Sequence, residues 1–152
     1  MSNLENMSHK QDLMTILIAD DDSDDRLFME RALRQSGYTQ TVKFVEDGEE
    51  LMEYLNKSGR YANQNVPWPD LLILDLNMPR KNGFQALREI KDDSKLRRLP
   101  VVVMTTSSAD EDILKTYTLG VNSFVTKPFN FNRLVEMVGA LKTYWMDTVK
   151  LP

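Results

Sequence analysis

Four short runs in this chain, TILIA from Thr15, LLIL from Leu71, VVVMT from Val101 and SFVT from Ser123, are apolar almost without interruption. A strand wetted on one face alternates polar with apolar residues, so an unbroken apolar run belongs to a strand covered on both faces. Amphipathic segments separate these runs, which gives repeated strand and helix units and therefore a parallel sheet with helices on each side. Five strands are expected: Thr15–Asp20, Thr41–Val45, Leu71–Asp75, Val101–Thr105 and Ser123–Thr126. The second, TVKFV, alternates and reads as an edge.

Between the strands, Phe28, Met29, Ala32 and Leu33 recur at helical spacing, and Gly37 stands where a helix would end in the left-handed conformation. Leu51, Met52 and Leu55 mark a second helix, Leu87 and Ile90 a third, and Ile113, Leu114 and Tyr117 a fourth ahead of Gly120. The last helix is expected to be the longest, from Phe131 to Val149, with Leu134, Val138, Leu141 and Trp145 on one stripe. These stripes are core packing. The stretch NKSGRYANQNVPWPD, Asn56 to Asp70, is long for a connection in an α/β unit and reads as an ordered surface loop, with Tyr61 and Trp68 as an alternative contact surface.

At 152 residues, with 41% hydrophobic and 28% charged, the chain suits one domain spanning 13–152 behind a flexible polar lead-in, 1–12. The formal charge of −4 and scattered basic residues argue against a nucleic-acid surface. Having no cysteine excludes disulfides, thiolate nucleophiles and Cys-ligated zinc, and the single His9, in the lead-in, excludes His-based triads and multi-His cages. The polar start lacks the apolar core of a secretory signal, and no apolar run approaches the ~20 residues that span a bilayer, so a cytoplasmic location is expected.

In a doubly wound sheet all strands deliver their last residues to one edge, and ligands bind in the crevice there. The first strand ends in Asp20 and Asp21, the third in Asp75, the fourth in Thr105 followed by Thr106, Ser107 and Ser108, and the fifth runs into Lys127. If the strand order is 2-1-3-4-5, three carboxylates meet in one small pocket. They cannot all ionise without a counterion, and an oxygen-only cluster with room for water suits Mg²⁺. Five aspartates fall within six residues here, and Asp22, Asp24 and Asp25 are read as cap and first-turn acids favoured by the helix dipole. Taken alone, Asp20 and Asp21 could be capping residues too.

The set formed by ADDD, LILDLNMPRKNGF, VVVMTTSS and SFVTKPF resembles the receiver domain of two-component response regulators, over roughly Met14 to Tyr144. The resemblance implies a flavodoxin-like α/β fold, a doubly wound five-stranded parallel sheet of order 2-1-3-4-5. It makes Asp75 the phosphoacceptor, a carboxylate that attacks a phosphoryl group held by Mg²⁺. Asp21 and Asp75 would ligate the metal, Asp20 would act mainly through a bound water, and Asn77 would offer its backbone carbonyl. Lys127 and the Thr105 hydroxyl would each take a phosphoryl oxygen. Phe124 occupies the aromatic switch position, and the Lys127–Pro128 bond is expected to be cis.

No output domain is expected after the receiver. The loop containing VPWPD and the ending YWMDTVKLP are similar to the small regulators that partner phytochrome-type histidine kinases, which implies a sensor histidine kinase as partner and a homodimer through Tyr144, Trp145 and the C-terminal tail. The rival enzyme, a haloacid-dehalogenase-type phosphohydrolase, also uses Mg²⁺ and a strand-end Asp, but needs an acid two residues on, where this chain has Asn77. A flavin-binding module would want a glycine- or hydroxyl-rich phosphate loop after the first strand, and an aspartate run would repel that phosphate.

Overall fold

The computed structural model describes residues 14–78, 80–105, 123–128 and 130–144. In them β1 (Thr15–Ala19), β2 (Thr41–Val45), β3 (Leu71–Leu74), β4 (Val101–Thr105) and β5 (Ser123–Thr126) make one parallel sheet in the order β2-β1-β3-β4-β5. Four helices are described: α1 (Ser23–Gln35), α2 (Gly48–Asn56), α3 (Gly83–Asp92) and α4 (Phe131–Lys142). None is long and apolar enough to cross a membrane.

The unbroken apolar runs are explained by which way alternate residues face. Leu17, Ala19, Leu72, Leu74, Val101 and Val103 meet Leu51, Leu55, Leu87 and Ile90 of α2 and α3. Their neighbours Ile16, Ile18, Leu71, Ile73, Val102 and Met104 meet Met29, Leu33, Leu134 and Val138 of α1 and α4. Each such Leu or Ile side chain removed from water contributes ~1.5–3 kcal/mol, and the sheet is held from both faces at once. At the end of the sheet β2 keeps alternate residues exposed, as its TVKFV pattern implies.

Local signals set the helix limits. Asp22 caps α1 by accepting from the N–H groups of Asp24 and Asp25. At the other end Gly37 takes φ +101°, and the Tyr38 N–H returns to the Leu33 carbonyl at 3.0 Å, closing the helix in the left-handed turn expected there. One position departs from the expected stripe: Phe28 is 47% exposed while Met29, Ala32 and Leu33 are buried. At 100° per residue Phe28 sits about a quarter turn from the centre of the buried stripe, and its ring meets the edge of Phe131 at 6.3 Å instead.

The expected helix around Ile113 to Tyr117 and the 145–149 portion of the last helix lie outside the described residues. Within Asn56 to Asp70 the chain is an ordered loop: Tyr54 donates to the Pro67 carbonyl at 2.7 Å, Tyr61 packs edge-on against Tyr54, and Trp68 is exposed.

Gly83 begins α3 directly behind β3. A Cβ there would lie 2.5 Å from the Asp75 carbonyl oxygen and 2.5 Å from the Leu76 Cα, both backbone atoms. Gly83→Ala is therefore expected to lower the unfolding free energy by about 1–3 kcal/mol in urea denaturation. Gly139→Ala, inside α4 with its nearest neighbour 3.6 Å away, should be neutral or stabilise by up to ~1 kcal/mol.

Candidate functional site

β1 and β3 lie side by side in parallel register, Ala19 opposite Leu74, so the residues that follow them leave the sheet together. Both strands stop one residue earlier than expected, but the ladder runs on by one bond each: Asp20 N–H to the Val45 carbonyl and Asp75 N–H to the Ala19 carbonyl, both 3.0 Å. Backbone pairing thus fixes the two acids before their side chains meet anything. Asp20 and Asp75 are buried and Asp21 is exposed, and one carboxylate oxygen from each lies within 4.8 Å of the others.

Lys127 enters from the end of β5, three strands away from β1. Its Nζ donates to Asp20 Oδ2 at 2.7 Å, to Asp25 Oδ2 at 2.8 Å and to Asp75 Oδ2 at 3.1 Å. The second oxygens of Asp20 and Asp75 are held by backbone: the Asp22 N–H donates to Asp20 Oδ1 and the Asn77 N–H to Asp75 Oδ1, each at 3.0 Å. Arg26 Nη1 donates to the Asp20 carbonyl at 2.8 Å while its Nη2 pairs with Glu46 at 3.2 Å, tying α1 to the end of β1.

The charges do not balance. Burial pushes the Asp20 carboxyl above its ordinary pKa and the Asp75 charge adds to this, against the opposing pull of Lys127 and the Asp22 N–H. For Lys127, burial works against the ammonium, but the hydrogen bonds to Asp20 and Asp25 and the charges of Asp75 and Asp20 outweigh it and hold its pKa above the ordinary lysine value. Among the described residues, one ammonium bonds Asp20, Asp25 and Asp75, with Asp21 as a fourth acid beside them. The carboxylate trio, oxygen-only and under-neutralised, fits a hard divalent cation such as Mg²⁺.

The expected site residues Asp20, Asp21, Asp75, Asn77 and Lys127 converge at this one edge of the sheet. Thr105 ends β4, in register with Thr126, and its side chain lies outside the description, as do Thr106, Ser107 and Ser108. Phe124 is half-buried, its ring packed against the core on the α2 and α3 side. No peptide bond among the described residues is cis, so the Lys127–Pro128 bond is trans and that expectation is corrected. The trans form is favoured by about 0.5–1 kcal/mol before any packing, and Lys127 reaches all three carboxylates from it.

Sequence reasoning missed Asp25 as a partner of Lys127. Its position in the first turn of α1 satisfies the helix-start rule, and only its place three residues past the cap, on the side facing β5, distinguishes it from Asp24. Tyr144, one of the expected dimer residues, is exposed, whereas Trp145 and the tail lie outside the described residues.

The family model described as response regulator receiver domain matches residues 16–139. Response regulator Rcp1 of Synechocystis sp. is 38% identical over 137 residues, which is 90% of this chain and 92% of that protein. Among solved structures, the phosphorylated cyanobacterial phytochrome response regulator RcpA superposes with a TM-score of 0.85 at 40% identity, over 92% of this chain and 99% of that one. The Mn²⁺-bound form of Rcp1 superposes with a TM-score of 0.83 at 37% identity, over 91% and 99%.

Because Asp20 is a buried acid in an over-negative pocket, Asp20→Asn should raise the thermal unfolding midpoint of the metal-free protein by about 2–5 °C. The same variant should lose most of the stabilisation that Mg²⁺ provides, about 2.7 kcal/mol for the parent at a hundredfold excess over Kd. Calorimetric melts with and without Mg²⁺ check both signs.

Proposed function

The chain belongs to the response regulator receiver family, and on that premise we propose that it accepts a phosphoryl group on Asp75 from a sensor histidine kinase and signals through altered protein contacts. The observation that carries this reading is the convergence of Lys127 on Asp75 and Asp20, beside a carboxylate trio. Residues more than a hundred positions apart meet there at hydrogen-bond distance.

Receiver domains bind a divalent metal, and Mg²⁺ is the ion we propose for Asp20, Asp21 and Asp75, with Asn77 adding its backbone carbonyl. When bound, the ion supplies positive charge that neutralises phosphoryl oxygens and aligns them. The chain's own groups do the rest. The Asp75 carboxylate, oriented by the Asn77 N–H, forms a bond to phosphorus as the bond from phosphorus to the kinase's histidine nitrogen breaks, and the histidine departs with that electron pair. Lys127 donates to a phosphoryl oxygen, placing its charge where negative charge accumulates. Thr105, at the end of the neighbouring strand, would donate its hydroxyl to another, and the vacated space would let Phe124 turn.

We further propose that the kinase is of phytochrome type and that copies of the chain pair through the α4 region. The first is supported by the similarity to RcpA and Rcp1 over nearly the whole of those chains, and the second by the exposed Tyr144 at the end of α4. The dehalogenase-type hydrolase is set aside: the family match is to receivers, and Asn77 stands where that chemistry needs an acid.

Incubated with Mg²⁺ and acetyl phosphate, the protein should gain one phosphoryl mass that hydroxylamine removes, as it does from acyl phosphates. Asp75→Asn should gain none. Equal labelling of the variant, or a label that resists hydroxylamine, would overturn the assignment of Asp75.

A further inference from the structure

Three carboxylates take the three donors of the Lys127 ammonium, and they are not equivalent. Asp20 and Asp75 belong to the trio that can hold a cation, whereas Asp25 does not. Its side chain is 34% exposed, against 4% for Asp20 and 10% for Asp75. Yet its contact with Nζ, 2.8 Å, is nearly as short as that of Asp20, 2.7 Å.

Asp25 is held in place for this contact. Its N–H is bound by the capping carboxylate of Asp22 at 3.2 Å, and the next residue, Arg26, is anchored to the Asp20 carbonyl. The start of α1 is therefore locked to the end of β1, with Asp25 turned toward β5. It adds a negative charge to a pocket that has too many already, a cost that a mere first-turn acid facing water would not incur.

We propose that Asp25 is a holding carboxylate for Lys127: it competes with the incoming phosphoryl oxygens for the ammonium and so slows phosphoryl transfer onto Asp75. The proposal rests on the reading of Asp75 as acceptor. Once a cation engages Asp20 and Asp75, Asp25, which lies outside the trio, is the partner that Lys127 keeps. A phosphoryl oxygen must then win a donor from a full carboxylate, and charge-assisted bonds of this kind are the strong ones. Asp25 is a positioning residue, since it touches the lysine and not the reacting atoms.

The test compares the parent with Asp25→Asn, Asp25→Ala and Asp25→Glu at saturating Mg²⁺ and acetyl phosphate. Asn and Ala should raise the rate constant for labelling Asp75 about fivefold, and Glu, which retains the charge, should stay within about twofold of the parent. Mg²⁺ affinity by calorimetry should change by less than about twofold in all three. In protein labelled with nitrogen-15 lysine, the Lys127 ammonium resonance of Mg²⁺-loaded parent should be lost to solvent exchange in the Asn and Ala variants and kept in the Glu variant.

Labelling of Asn and Ala at or below the parent rate would overturn the proposal, since Asp25 would then assist Lys127 or leave it unaffected. A fall in Mg²⁺ affinity as large as that of Asp21→Asn would also overturn it, by making Asp25 a metal ligand. If the parent itself is not labelled on Asp75, the reading of the acceptor falls and takes the proposal with it, an outcome distinct from a labelled parent with unchanged variants.

Discussion

The whole site depends on one under-neutralised contact, a single ammonium shared among carboxylates that the sheet forces together. Strand pairing leaves Asp20 and Asp75 no choice of neighbour, because the β1 and β3 ladders each run one bond past the last strand residue. In water such acids would separate. Held by backbone, they keep their charges together until a cation, a lysine or a proton offsets them, and burial, with the Asp75 charge added, pushes the Asp20 carboxyl above its ordinary pKa despite the pull of Lys127. Carboxylates held this close suit a divalent cation, the kind of ion that receiver domains bind.

The fold was legible because burial on both faces of a parallel sheet removes the alternation that would otherwise leave a strand ambiguous, and four of the five strands carry that mark. The convergence of Asp20, Asp21, Asp75 and Lys127 was legible for a related reason: parallel strands deliver their ends to a single edge. Asp25 was not, since Asp22, Asp24 and Asp25 all satisfy the same helix-start preference and only the finished fold shows which carboxylate turns back toward β5. Phe28 was misread because helical spacing names a stripe without naming its centre, and a residue at the flank obeys the same periodicity while staying exposed. The cis expectation for Lys127–Pro128 came from family resemblance, with no local feature to carry it.

Two glycines pack closely against the residues that follow β3. Gly83 backs onto the carbonyl of Asp75, and Gly48, at the start of α2, donates its N–H to the Lys81 carbonyl at 2.9 Å with no room for a Cβ between them. The segment is thus gripped at Asp75 and Leu76 by its own helix and at Lys81 by the neighbouring one. Arg80 accepts the left-handed conformation, φ +62°, inside this grip and pairs with Asp47, the cap of α2, at 3.7 Å. Contacts of this kind fix the backbone of Asp75, as the proposed role of a positioned nucleophile would need.

The opposite holds for Lys127. Among the described residues it follows a strand of four at the edge of the sheet, paired on one side only, with Phe124 and Val125 half-buried where β1 and β3 are fully covered. Asp75 therefore follows a central strand of the sheet, and Lys127 follows an edge strand. Phe124 lies three residues back from Lys127, on that edge strand. On the proposed reading, the nucleophile would follow a strand paired on both sides and the switch ring would lie on a strand with fewer backbone partners, so that a change at Lys127 would act at the edge of the sheet rather than at its centre.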